Sequence, residues 1–268
     1  MLRTFIERIS RGRSFRRNLP ASYGNRPLHV SPDSALVYLK RNWVSSQRAL
    51  LDAASKYATE MNSIWDIGAN VGAFTFAAAH VAGPNSETVA LEADPFLASL
   101  LQATATESVN RDRNVNVICA AATNSIGIAR FLIAERGRAS NSLERSGHRS
   151  QAGGTRFVQH VPTVTLDSLL DHFLKPGLVK IDVEGAEAYV LRGAERVLSE
   201  CRPLFYIEVG SDQCEEATKL FQDHGYRLYD GDANNGLEIQ RCCYNTLAVP
   251  KESKRTNKQI ASPECRPG

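Results

Sequence analysis

The chain contains no apolar run approaching the roughly 18 residues that a membrane-spanning helix needs. It also has no stretch of the secretory type, in which a charged start is followed by an apolar core and a small-residue cleavage site. Its six cysteines are Cys119, Cys201, Cys214, Cys242, Cys243 and Cys265. None form a C-x-x-C pair or a metal-ligand spacing, which argues against a zinc module or a disulfide scaffold. Cys119 and Cys201 sit in or beside apolar segments and read as reduced packing residues. No internal repeat is visible, so a solenoid or propeller is excluded. These absences predict a cytoplasmic protein.

What remains is enough for a sizeable core. The chain has 268 residues with 43% hydrophobic content, which allows one large or two small domains. The net charge of +3 hides an asymmetry. Residues 1–26 carry +6 and residues 251–268 carry +3, so residues 27–250 carry −6. Both ends are read as basic, flexible segments around an acidic body. In residues 1–20, Leu2, Phe5, Ile6 and Ile9 fall at helical spacing among arginines. That is a basic amphipathic pattern, suited to peripheral contact with an anionic membrane. A solvated tail and an Arg-rich transit segment are the competing readings of the same stretch.

The most informative segment is Ile64-Trp65-Asp66-Ile67-Gly68-Ala69-Asn70-Val71-Gly72-Ala73. It reads as a short apolar strand, a turn of small residues and the start of a helix. Gly68 and Gly72 lack a Cβ where a ligand would have to approach closely. About twenty residues later a second apolar run, Thr88–Leu91, ends at Glu92. A glycine turn after one strand and a carboxylate at the tip of the next is how α/β folds hold a ribose-bearing cofactor. The spacing is Gly-x-Asn-x-Gly, with Asn70 and Ala73 where a dinucleotide fingerprint would carry glycine. An Asp at position 66 would repel a pyrophosphate but suits a cationic amino group. S-adenosylmethionine has an amino group, a sulfonium and a ribose, and no phosphate. The turn therefore favours S-adenosylmethionine over NAD, with Asp66, Gly68, Asn70, Gly72, Glu92 and Ala93 as the candidate cofactor residues. Gly72→Val is expected to weaken cofactor binding with the fold intact.

Two further strands end in acids. Leu178-Val179-Lys180-Ile181 runs into Asp182, Glu184 and Glu187, and Leu204–Ile207 runs into Glu208. Asp182 and Glu184 are two apart and share a face on an extended chain. In open parallel sheets, ligands bind outside the carboxyl ends of the strands. A charge in an apolar strand is costly unless it is paired or used. Asp66, Glu92, Asp182, Glu184 and Glu208 together mark one edge.

Strands are expected at 63–68, 87–92, 115–121, 178–183 and 203–209. Helices are expected at 72–82, 94–108, 167–173, 186–200 and 211–224. Ile128–Ile133 and Phe157–Val161 read as an antiparallel pair, and Tyr226–Tyr229 and Thr246–Val249 as a closing one. Residues 135–155 read as a loop near the site. Residues 27–60 read as a helical extension over the cofactor edge, and residues 61–250 as the main domain. Alternating strands and helices argue one doubly wound α/β domain.

The chain resembles the FkbM-type family of S-adenosylmethionine-dependent methyltransferases. The resemblance is carried by Asp66–Gly72, Leu91-Glu92-Ala93-Asp94-Pro95, Val164–Leu170 and Lys180-Ile181-Asp182-Val183-Glu184-Gly185-Ala186-Glu187. Leu191-x-Gly193-Ala194 and Arg202–Glu208 follow in order, so it covers about 60–250. Ala93 stands where the family usually carries Pro. The resemblance implies a mostly parallel, seven-stranded Rossmann-like sheet. It also implies O-methylation of a small-molecule or glycan hydroxyl. A hydroxyl acceptor needs its proton taken. Asp182 is the expected base, with Glu184 and Glu208 as partners. The three acids could instead hold a divalent cation, which is the less favoured reading. His160 and His148 are runner-up bases. A nucleic-acid acceptor is disfavoured by the acidic body. It is disfavoured too by the lack of an Asn/Asp-Pro-Pro-aromatic motif or a Pro-Cys nucleophile. The alternatives retained are a nicotinamide oxidoreductase and a non-catalytic interaction module on the same fold.

Overall fold

A computed structural model describes residues 6, 9–144, 153–233 and 236–253. The chain begins with an antiparallel hairpin, β1 (Phe15–Asn18) and β2 (Pro27–Val30). Short 3-10 turns at Leu36–Leu39 and Trp43–Gln47 lead into helix α1 (Arg48–Tyr57). The body then alternates: β3 (Ser63–Ile67), α2 (Ala73–Ala82), β4 (Glu87–Glu92), α3 (Pro95–Ala105) and β5 (Asn114–Cys119). An excursion follows through β6 (Ala121–Ala122), β7 (Gly127–Ala134), β8 (Ser142–Leu143) and β9 (Thr155–Val164). The chain returns through α4 (Leu166–Leu169), β10 (Leu178–Ile181), α5 (Glu187–Arg192), β11 (Leu204–Glu208) and α6 (Cys214–Asp223). It closes with β12 (Tyr226–Asp230), β13 (Glu238–Ile239) and β14 (Asn245–Pro250).

The main sheet has the order β13-β12-β14-β11-β10-β3-β4-β5. The strands β11, β10, β3, β4 and β5 run parallel, while β14 is antiparallel to both β11 and β12. The sheet is thus mixed and eight-stranded, which corrects the expected seven. The extra member is β13, two residues that pair with Leu228 and Tyr229 at the edge of β12. So short a pairing leaves no alternation to read in sequence. The excursion forms a second, four-stranded sheet of order β6-β9-β7-β8, in which Ile133 lies opposite Phe157.

Side-chain alternation builds two cores, one on each face of the main sheet. Ile64, Ala90, Leu178 and Val249 pack against α1, α2 and α3 through Leu51, Phe76 and Leu101. Trp65, Ile67, Val179 and Phe205 pack against α4, α5 and α6 through Leu169, Val190 and Phe221. Every residue of β3 is buried. A strand covered on both faces reads as a continuous apolar run, so Asp66 stands out within it. Helix α3 starts where Asp94 caps it, its carboxylate accepting from Phe96 N at 2.8 Å, with Pro95 in the first turn.

Two expectations need correction. Residues 27–60 are not wholly helical: they hold the second strand of the hairpin, two 3-10 turns and one ten-residue helix. The hairpin is tied to the body: Thr104 Oγ1 accepts from His29 N at 2.8 Å, and the buried Arg26 grips Asp112 through two bonds. Leu19 and Tyr23, in the stretch read as flexible, are also buried. Arg11, Arg16, Arg17 and Arg26 all have intramolecular partners, so much of the basic N-terminal charge is spent inside the molecule. The expected helix over 186–200 breaks after Arg192 and resumes beyond Ala194, closing in a π-helical turn over Val197–Cys201. The break falls at Gly193, where a Cβ would run into the Thr123 carbonyl oxygen. Of the residues that carry the amphipathic reading, Ile6 is half-buried and Ile9 exposed; Leu2 and Phe5 fall in residues 1–5, 7 and 8, and most of the basic tail in 254–268. Both lie outside the described residues, as does His148.

Candidate active site

A cavity of about 260 Å³ opens at the carboxyl ends of the central strands. Its floor is the turn after β3, Gly68-Ala69-Asn70-Val71. The turn exists because two residues accept left-handed backbone: Gly68 at φ 78° and Asn70 at φ 52°. Asn is among the few side-bearing residues that tolerate this. The turn is pinned to β4, with Gly68 N and Ala69 N both donating to the Leu91 carbonyl at 2.9 and 3.0 Å. Ser34 from the N-terminal segment donates to the Asn70 side-chain oxygen at 2.7 Å, so that segment forms a wall.

Glu92 lines the cavity from the end of β4. One of its oxygens accepts from Asn70 N and the other from Asp94 N, each at 2.8 Å. An ionised carboxylate has about four acceptor positions, so both oxygens keep capacity for a ligand. Burial pushes the carboxyl up to about 7, against the pull of those two N–H groups. Ala93 lies beside it in the lining, with Leu97 and Ala120–Ala122 adding an apolar patch.

Across the cavity stand Asp182, Glu184 and Glu208, from the ends of β10 and β11. All three expected catalytic acids are therefore brought to one wall. Glu184 takes a left-handed φ of 55°, and Gly185 follows at 91°. Tyr244, which the sequence reading missed, joins them. Its hydroxyl is hydrogen-bonded to Glu208, and burial with the three neighbouring carboxylates raises its pKa. Its backbone carbonyl accepts from Val209 N at 2.7 Å, which fixes it beside β11. Its signal was faint because it is a lone aromatic before a strand.

Two expected cofactor residues lie elsewhere. Asp66 is fully buried and does not line the cavity. Its carboxylate faces Lys180 Nζ at 3.1 Å and accepts from Thr75 Oγ1 at 2.5 Å. Lys180 stands between Asp66 and the cavity, also donating to the Gly68 carbonyl at 2.9 Å and lying 3.6 Å from Asp182. Burial works against the lysine charge, but Asp66 and Asp182 outweigh it and raise its pKa. The acid read as an amino-group partner is thus a counter-ion for a lysine inside the fold. Gly72 is also turned away from the cavity. It caps α2 at φ 90°, and a Cβ there would meet Leu101 at 2.7 Å and Phe76 at 2.8 Å. Its lack of a side chain serves helix packing, so the expectation that Gly72→Val spares the fold is corrected. Gly68 does line the cavity, yet its Cβ would collide with the Asp182 carbonyl oxygen.

Asn141 is buried in the lining, but its amide is spent on Ala134 N and Asp94. His160 is exposed on β9, away from the lining. Among the described residues, no group of three or more His, Cys, Asp or Glu is placed to hold a metal ion, and no helix is long and apolar enough to cross a membrane.

Comparison with curated proteins gives no match. Among solved structures, the chain is similar to methyltransferase FkbM from Methylobacillus flagellatus KT, with 15% identity and a TM-score of 0.47. That similarity covers 71% of this chain and 44% of the other. It is also similar to precorrin-6y C5,15-methyltransferase from Geobacter metallireducens GS-15, with 17% identity, a TM-score of 0.45, and 77% and 88% of the two chains covered. A third similar structure is M. jannaschii TYW2 in complex with AdoMet, with 10% identity, a TM-score of 0.45, and 88% and 84% covered. The model of the FkbM methyltransferase domain matches residues 66–228, more than half of the sequence, and the chain belongs to that family.

Proposed function

We propose that the protein is an S-adenosylmethionine-dependent O-methyltransferase acting on a hydroxyl of a sugar, glycan or natural-product acceptor. One observation carries the cofactor part: Glu92 is a buried carboxylate that lines the cavity with acceptor capacity unspent. A ribose diol donates two hydrogen bonds and matches that capacity. The residues fit the rest of the group. The apolar patch of Ala93, Leu97 and Ala120–Ala122 suits a base, and the backbone of Gly68–Asn70 suits the amino-acid end. The wall of acids suits a cation. Bound there, S-adenosylmethionine supplies an electrophilic methyl group.

The chain has to hold donor and acceptor in line and take a proton. Asp182 is assigned as the base that accepts the proton of the acceptor hydroxyl. Lys180, 3.6 Å away, keeps its carboxylate oriented. Glu184 and Glu208 shape the acceptor side, and Tyr244 holds Glu208. The family match supports methyl transfer, and the hydroxyl acceptor rests on this arrangement of acids.

The test uses methyl-labelled S-adenosylmethionine with a panel of sugars, glycans and hydroxylated natural products, without and then with Mg²⁺. Label on oxygen is expected. Label appearing only on nitrogen or carbon would overturn the O-methyl assignment.

A further inference from the structure

We propose that Arg138 is a positioning residue for the cofactor: it fixes Asp94, and Asp94 fixes the ribose carboxylate Glu92. The inference rests on the reading of Glu92 given above.

Arg138 sits on a 3-10 turn after β7 and lines the cavity. Its Nη1 donates to both oxygens of Asp94, at 2.9 and 2.7 Å, and its Nε to Asp33 at 2.8 Å. Its guanidinium lies over the Phe96 ring at 4.9 Å. Asp94 is fully buried, and it also accepts from Asn141 Nδ2 at 2.7 Å and from Phe96 N. With its side chain so held, its backbone N–H is fixed where it donates to Glu92. Three segments far apart in sequence therefore converge behind one ligand-facing carboxylate: the N-terminal wall at Asp33, the turn at Arg138 and the cap of α3. A buried carboxylate left without its arginine is expensive.

Arg156 is the internal control. It is as buried as Arg138 and also grips Asp33, at 2.7 Å. Its partners are Asp33 and the Glu135 carbonyl, and it does not line the cavity. A purely structural network would make the two arginines equivalent.

The two arginines also differ electrostatically. The groups that face Glu92 are Asp94, Lys180 on β10, Cys119 on β5 and the backbone of Asn70. Lys180 favours the ionised form and Asp94 opposes it. Arg138 offsets the charge of Asp94, so its removal should make Glu92 harder to ionise, whereas removal of Arg156 should not.

The experiment is calorimetric titration of the full chain with S-adenosylhomocysteine across pH about 5 to 9. Wild type should bind more tightly as pH rises through about 7. Arg138→Met should bind about three- to tenfold more weakly, with the midpoint at higher pH. Arg138→Lys should recover part of the affinity, because it restores the charge without the fork. Arg156→Met should lose thermal stability yet bind within about twofold of wild type, with the midpoint unmoved. If Arg138→Met does not fold, Asp94→Asn reads the same path and should move the midpoint down. The inference is overturned if Arg138→Met matches wild type, if Arg156→Met loses as much affinity, or if Asp94→Asn leaves the midpoint in place. Failure of wild type to bind would sink the cofactor reading instead.

Discussion

Asp66 and Glu92 lie at the carboxyl ends of neighbouring strands, Asp66 one residue inside β3 and Glu92 as the last residue of β4, and both are buried. One is spent inside the fold and the other faces the cavity. Asp66 has a full positive charge at 3.1 Å and a hydroxyl at 2.5 Å. Glu92 has two backbone N–H bonds and a weaker pull from Lys180, and burial raises its pKa to about 7. A buried acid at a strand end is therefore not by itself a ligand site. What distinguishes the two is a charged partner for one and unspent capacity facing a cavity for the other.

The largest expected effect lies on the Asp66 side. Lys180→Met leaves that aspartate charged with no cation beside it and only the Thr75 hydroxyl as a donor, and should cost about 3–5 kcal/mol in urea unfolding. Adding Asp66→Asn should recover much of the loss. A cost under about 1 kcal/mol would break the comparison, because Asp66 would then not depend on the lysine. Asp182→Asn tests the shared neighbour of that lysine. Turnover should fall about 10²–10⁴-fold while S-adenosylhomocysteine affinity stays near wild type. Surviving turnover would make Asp182 structural.

Gly72→Val should destabilise by about 2–4 kcal/mol, through overpacking against Leu101 and Phe76 and a left-handed backbone. Affinity of the folded fraction should change little, since the side chain points into the core. An unchanged melting temperature with lost affinity would restore the ligand-facing reading.

Glu92→Gln is the mildest. Affinity for S-adenosylhomocysteine should fall about tenfold. Its stability effect has a definite sign. The folded pKa of about 7 lies above the ordinary 4.5. The native state therefore binds more protons between these values, and wild-type stability falls as pH rises through that window. The glutamine variant should lack this fall, read as a melting temperature flatter in pH. A parallel pH profile would mean that burial does not strain Glu92.

Much of this was legible in the sequence, and for specific reasons. The largely apolar runs at 64–67, 88–91, 178–181 and 204–207 read as strands buried on both faces because they are short, rich in β-branched and aromatic residues and flanked by glycine, proline or acids. The acids that interrupt or end them marked the edge where the cavity opens. Which way each acid turns was not legible, because Lys180 and Asp66 meet only when β10 pairs with β3. Gly72 misled for a similar reason: a missing Cβ signals close approach, and the approaching group was Leu101 from the next helix. The hairpin at 15–30 was hidden because its arginines read as a solvated charge run. Arg11, Arg16, Arg17 and Arg26 find partners as distant as Glu135 and Asp112. The Arg138–Asp94–Asp33 network is long-range throughout, and no local pattern announces it.

The most direct test of the central claim is titration of the purified protein with S-adenosylhomocysteine, with NAD as the control ligand and Glu92→Gln beside wild type. The account predicts binding of S-adenosylhomocysteine alone, weakened in the variant. Binding of NAD, of neither ligand, or of S-adenosylhomocysteine equally by both proteins would contradict it.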